Sequence, residues 1–87
     1  MVRAFEKKFR CKYFIRFDNV SFNTEYPSLN EPVRWCYENM PEDRLWDYEY
    51  TKGKRILNQY GIPEQGWHVI LFFEIEEDLM AFKLVHG

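Results

Sequence analysis

Residues 67–74, Trp-His-Val-Ile-Leu-Phe-Phe-Glu, are apolar on both parities of an extended chain: Trp67, Val69, Leu71 and Phe73 on one side, Ile70 and Phe72 on the other. Side chains alternate across a strand, so a strand apolar on both sides suits the centre of a sheet with cover on both faces. A chain of 87 residues has room for one such sheet and one domain. The longest apolar run, Val69 to Phe73, is five residues, far short of the roughly 20 needed to cross a membrane.

The flanking segments supply partners for that strand. Phe9 to Phe17 places Cys11, Tyr13, Ile15 and Phe17 on one face and Arg10, Lys12, Phe14 and Arg16 on the other, which predicts a half-buried strand. Val2, Phe5 and Phe9 also fit a helical turn, so the start of the chain stays open. Asp18 to Tyr26 is rich in turn formers and reads as a loop. A helix is expected over about Glu31–Met40, with Asn30 as N-cap, Pro32 in the first turn and Val33, Cys36, Tyr37 and Met40 as its buried stripe. Trp35 lies off that stripe, and Pro41 stops the helix. Leu45 to Tyr50 alternates between an aromatic face (Trp46, Tyr48, Tyr50) and a largely acidic one. Thr51 to Lys54 is a candidate turn around Gly53, residues 55–60 fit either a strand or a helical turn, and Gly61 to Gly66 reads as a loop. Glu76, Glu77 and Asp78 open a last helix at its dipole-favoured end, with Leu79, Met80, Phe82 and Leu84 as its apolar side. The expected class is α+β: a ferredoxin-like sandwich, an antiparallel sheet of three or four strands with two helices on one face. Three strands would leave open edges that invite a homodimer or a strand from another chain.

Most reactive chemistry finds no support in the residues. Cys11 and Cys36 sit in no CxxC motif, and the default is a cytosolic protein with two reduced thiols. His68 and His86 stand at no metal-ligand spacing, and four scattered glycines make no phosphate loop. The acids Glu74, Glu76, Glu77 and Asp78 fit no calcium loop. No catalytic residue, metal or cofactor is therefore expected, and the chain reads as a binding module rather than an enzyme.

Charge and aromatic content point to the surface. Twelve Lys and Arg against fourteen Asp and Glu give a net charge of −2, which argues against a generic basic coat for nucleic acid. The charges are segregated: six bases face one acid in residues 1–16, and eight acids face two bases between Asp18 and Tyr50. Aromatic residues make up 20% of the chain, too many rings for so small a core to hide. Trp and Tyr are frequent interface anchors. The preferred site is thus a protein-binding patch of Trp35, Trp46, Tyr48 and Tyr50 flanked by Asp47 and Glu49. The alternative is a single-stranded RNA surface made by Trp67, Phe14, Arg16, Lys12 and Lys54.

Two family resemblances bear on these alternatives. Gln65-Gly66-Trp67-His68-Val69-Ile70-Leu71-Phe72, followed by Glu76-Glu77-Asp78 and Ala81, resembles the third-strand signature of the RNA-recognition motif family. Tyr13-Phe14-Ile15-Arg16 resembles its first-strand partner. Gln65 and Val69 stand where that family has a basic residue and a second stacking aromatic, and the chain ends where a fourth strand would begin. This likeness implies a ferredoxin-like plait that binds single-stranded RNA. The closing helix, Glu-Glu-Asp-Leu-Met-Ala-Phe-Lys-Leu, resembles the C-terminus of short uncharacterised proteins from tailed phages. That likeness implies a viral accessory protein, located in the host cytoplasm, that engages a host macromolecular complex.

Overall fold

The computed structural model describes residues 10–86. Three strands, β1 (Tyr13–Val20), β2 (Trp46–Leu57) and β3 (Pro63–Phe73), form one antiparallel sheet in the order β1-β3-β2. Helix α1 (Glu31–Asn39) joins β1 to β2, and α2 (Glu76–His86) follows β3. The doubly apolar stretch is indeed the central strand. Its cover is unequal, however: Val69, Leu71 and Phe73 are buried, while Ile70 and Phe72 on the opposite face are half-buried.

Both helices contribute to a core on one face. Cys36 of α1 and Leu79 and Phe82 of α2 cluster with Leu71 and Phe73, and Ile15, Phe17, Trp46 and Tyr48 pack around them. All four strand neighbours belong to the parity that faces Val69, Leu71 and Phe73 across the sheet, since Ile15 and Tyr48 pair with Leu71, Phe17 with Val69 and Trp46 with Phe73. The fully buried Phe82 ring makes edge contacts with Phe17 and Trp35 and a tilted contact with Phe73. Burying a ring this completely is worth several methylenes of hydrophobic free energy, roughly 1.5–3 kcal/mol.

One ion pair enters this core. Asp78, in the first turn of α2, is 6% exposed and accepts from Arg44 Nη1 at 2.7 Å. That contact raises the already high guanidinium pKa of Arg44. Burial, with the nearby Asp78 charge adding to it, pushes the Cys36 thiol up to about 12. A thiol so placed is a small apolar filler, not a nucleophile.

Several expected boundaries move, each for a packing reason. The first strand starts at Tyr13 and runs on to Val20, through residues read as loop, because Val20 pairs with Trp67 beyond a bulge. The alternative helical start at Val2, Phe5 and Phe9 lies outside the described residues. On α1 the buried stripe is rotated: Trp35 turns inward onto Phe82, whereas Tyr37 is 61% exposed. Asn30 occupies the N-cap position without capping through its side chain. Its amide instead accepts from Asn23 N–H at 2.8 Å and donates to the carbonyls of Asn23 and Pro27, which closes the loop ahead of the helix. On α2, Met80 and Leu84 are exposed, not part of the apolar side.

The expected turn at Gly53 is a continuous strand, and the expected loop 61–66 is strand from Pro63 onward. Arg55, Ile56 and Leu57 pair with Gln65, Glu64 and Pro63, so β2 and β3 form one long hairpin. The reversal falls at Asn58, whose side-chain oxygen accepts from the N–H groups of Tyr60 and Ile62. Gly61 takes the positive φ of 74° that this turn requires.

Gly53 and Gly66 have a different use. Both edge strands carry an irregularity at adjacent levels of β3, between Phe17 and Val20 in β1, opposite Val69–Trp67, and between Lys52 and Arg55 in β2, opposite Trp67–Gln65. Asn19, at φ 52°, reaches over the central strand so that its side-chain oxygen accepts from Lys54 N–H at 2.7 Å. A Cβ at Gly66 would stand 2.3 Å from the Lys54 carbonyl oxygen, and one at Gly53 would stand 2.5 Å from Asn19 Oδ1. Gln65 Nε2 ties the same node by donating to the carbonyls of Gly53 and Gly66. The absent side chains let the two edge strands close over β3.

Candidate functional site

Helix α2 packs on β1, β3 and α1, and β2's share of the same sheet face is covered by rings. Trp46, Tyr48 and Tyr50 lie in register along the strand, with centroids 6.2 and 6.4 Å apart and planes within 25° of parallel. That spacing is the two-residue repeat of an extended chain, about 6.6 Å. Tyr37 of α1 closes one end, edge-on to Trp46 at 4.9 Å. Trp67 of β3 and Phe22 of the loop close the other, 5.6 and 5.1 Å from Tyr50. The result is a ladder of rings with exposed members at both ends, Tyr37 and Tyr50.

Local chemistry explains how each ring is placed. Alternation puts the three β2 rings on one side. Phe22 is delivered by the Asn23–Asn30 clasp, with Asn23 Oδ1 also accepting from the N–H groups of Glu25 and Tyr26. Burial pushes the Tyr48 phenol up from its ordinary value, so it stays neutral in the physiological range. Two hollows adjoin the ladder. One of about 290 Å³ is lined by Tyr37, Met40, Glu42, Arg44 and Trp46. The other, about 170 Å³ and mostly apolar, lies among Phe17, Val20, Phe22, Pro32 and Val69.

The residues singled out from the sequence for protein binding therefore divide three ways. Trp46, Tyr48 and Tyr50 come together in the ladder. Trp35 does not join them: it packs between the helices, edge-on to Phe82 and His86. Asp47 and Glu49 project from the opposite side of β2, and Asp47 Oδ1 accepts from the Tyr48 N–H at 2.8 Å. Phe22 and Tyr37 were missed. The first sits in a stretch whose turn residues signal only a loop, and the second was assigned inward by helical spacing.

The residues singled out for RNA divide as well. Phe14 and Arg16 lie on the sheet face away from the helices, beside Phe72 and Ile70, and the Phe14 and Phe72 rings are 6.3 Å apart. Phe14 is 57% exposed. Trp67 is on the other face, against Tyr50. Strand parity thus places Trp67 and Val69, the two positions that the motif alignment makes stacking platforms, on the helix side. Lys12 precedes β1 and Lys54 lies in the β2 irregularity, at the far end of the sheet from Phe14. On this face Asp18 Oδ1 meets both Arg16 Nε at 2.6 Å and His68 Nδ1 at 2.9 Å. The Arg16 hydrogen bond holds the Asp18 carboxyl below the usual range.

Among the described residues no group of three or more His, Cys, Asp or Glu could hold a metal ion, and no helix is long and apolar enough to cross a membrane. No family model, curated protein or solved structure matches the chain.

Proposed function

We propose that this domain is a non-enzymatic protein-binding module whose contact surface is the aromatic ladder of β2. The observation that carries the reading is the row Tyr37, Trp46, Tyr48, Tyr50, half-covered by rings and exposed at both ends. Rigid aromatic side chains bury large areas at low entropic cost, which makes them frequent interface anchors. The setting implied by the phage likeness, an accessory protein acting on a host complex in the host cytoplasm, belongs to the same proposal. So does the finer reading of the fold: strand order β1-β3-β2 with helices after β1 and β3 matches the first three strands and two helices of a ferredoxin-like plait.

The test is affinity capture from a lysate of the source cell or its host, with nuclease present, comparing the native chain with a Tyr37→Ala/Tyr50→Ala variant. Both rings are exposed, so circular dichroism should report an unchanged fold while the captured protein is lost. Undiminished capture by the variant removes the ladder from the interface.

A second reading, single-stranded RNA on the sheet face opposite α1 and α2, draws support from the exposed Phe14 ring beside Phe72 and Arg16. Its signature is binding that weakens steeply with salt as phosphate contacts release counterions, and that fails in a Phe14→Ala variant. Absence of binding at low salt disposes of it.

A further inference from the structure

The outer edge of β2 carries backbone and side-chain features that together select an occupant. Glu74 N–H donates to the Leu45 carbonyl at 3.1 Å, which marks residues 45 and 74 as a bonded pair of the ladder between β2 and β3. Bonded and non-bonded pairs alternate in an antiparallel ladder. Residues 47, 49 and 51 thus bond to β3, and the N–H and C=O groups of Trp46, Tyr48 and Tyr50 point away from it. The outward backbone groups belong to the very residues whose rings form the ladder. Across the same edge, on the other side of the sheet, stand Asp47 and Glu49. The Asp47 carboxylate folds back onto the Tyr48 N–H, shielding the middle outward donor, as charged side chains commonly do on strand edges.

We infer that β2 receives an extended segment of the protein partner as an added strand along Trp46–Thr51, and that this segment alternates apolar with basic residues. The inference rests on the ladder reading above. An added strand sends successive side chains to opposite faces. One set then lies on the rings of Trp46, Tyr48 and Tyr50 and the other reaches the acidic side. When a carbonyl of the incoming strand takes the Tyr48 N–H, Asp47 is displaced and needs a new partner. A Lys or Arg of the segment provides it through a charge-assisted bond, stronger than the neutral bond given up. A segment with acids at those positions leaves the carboxylate displaced beside like charge. The irregularity after Lys52 ends the straight edge, so the docked stretch is about 20 Å long. A second copy of this chain is a poor occupant, because antiparallel self-pairing of β2 about Tyr48 brings no basic residue opposite Asp47.

The test titrates a synthetic peptide alternating valine with lysine into the isotope-labelled full chain and follows backbone amide resonances. The expected result is binding with shifts at the Trp46, Tyr48 and Tyr50 amides. A peptide alternating valine with glutamate should bind at least about tenfold more weakly, and Asp47→Ala should cost the lysine peptide about tenfold. N-methylation of the peptide amides that face β2 should abolish binding. No binding of the lysine peptide, equal binding of the two charge types, undiminished binding of the N-methylated form, or shifts confined to the helices would each overturn the inference. If the Tyr37→Ala/Tyr50→Ala variant loses its captured protein while N-methylation has no effect, strand addition fails and the ladder reading stands. If capture ignores the rings, the ladder reading itself fails.

Discussion

The two edge strands present the same kind of inward face and meet different fates. On β1, Ile15 and Phe17 point toward the helices and pack half-buried beneath α2, with Phe82 set edge-on to Phe17 at 6.2 Å. On β2, Trp46, Tyr48 and Tyr50 point the same way, and their cover comes from Tyr37, Phe22 and Trp67. A helix lays a continuous apolar stripe along the strand beneath it. Single rings from a loop and a helix margin cover only part of a surface and leave edges exposed. What distinguishes the strands is thus the thing packed above them, and the proposed contact surface falls on the strand that no helix of the described residues covers.

The sharpest way to break that division is at Phe82. Phe82→Ala empties the fully buried centre and should destabilise the fold by about 3–5 kcal/mol, seen as a lowered urea midpoint. A loss below about 1 kcal/mol would mean that α2 does not pack firmly on β1. Gly66→Ala probes the node where both edge strands close over β3. The new methyl meets the Lys54 carbonyl oxygen first and the Ile56 side chain next, and a cost of about 1–3 kcal/mol is expected for such overpacking. Tyr50→Ala should reverse the pattern, with a stability change of about 1 kcal/mol or less but a loss of about 2 kcal/mol or more in partner binding. If stability falls and binding does not, β2 is core like β1.

The smallest effects concern titration and reactivity. In the folded chain the Asp18 carboxyl is depressed by its hydrogen bond from Arg16. Its contribution is therefore complete above the unfolded carboxyl pKa, about 4, and is lost as pH falls through the lower folded value. Asp18→Asn should lower the melting temperature slightly at neutral pH, where the contribution is complete, and the difference from the native chain should vanish as pH falls below the carboxyl range. Cys36, with its thiol pushed to about 12, should resist alkylation at pH 8 in the native chain and react once denaturant is added. Rapid native labelling would show that the core opens on that timescale.

Much of the architecture was legible because it follows from local periodicity. The doubly apolar run at 67–74 marks the central strand, Pro41 ends α1 within one residue of its expected last member, and the alternation at 45–50 separates rings from acids. The long hairpin was not legible. Gly53, Pro63 and Gly66 carry strong local signals for turns, yet pairing of Arg55–Leu57 with Pro63–Gln65 turns them into strand. Helical spacing likewise could not say that Trp35, not Tyr37, faces the core, since that depends on where Phe82 of another helix sits. The RNA-motif alignment set Trp67 as a platform, and the sheet turns it toward Tyr50.

The sequence by itself determined the order of elements, the central place of residues 67–73 and the division of β2 into an aromatic and an acidic face. These depend on which side chains share a parity, and parity is a property of the chain alone. Only the tertiary structure decided that α2 leans over β1 and β3, that Phe22 and Tyr37 complete the ladder, and that Asn19 crosses Gly66 to reach Lys54. Each of those is a contact between segments distant in sequence, settled by which packing buries the most surface without stranding a polar group.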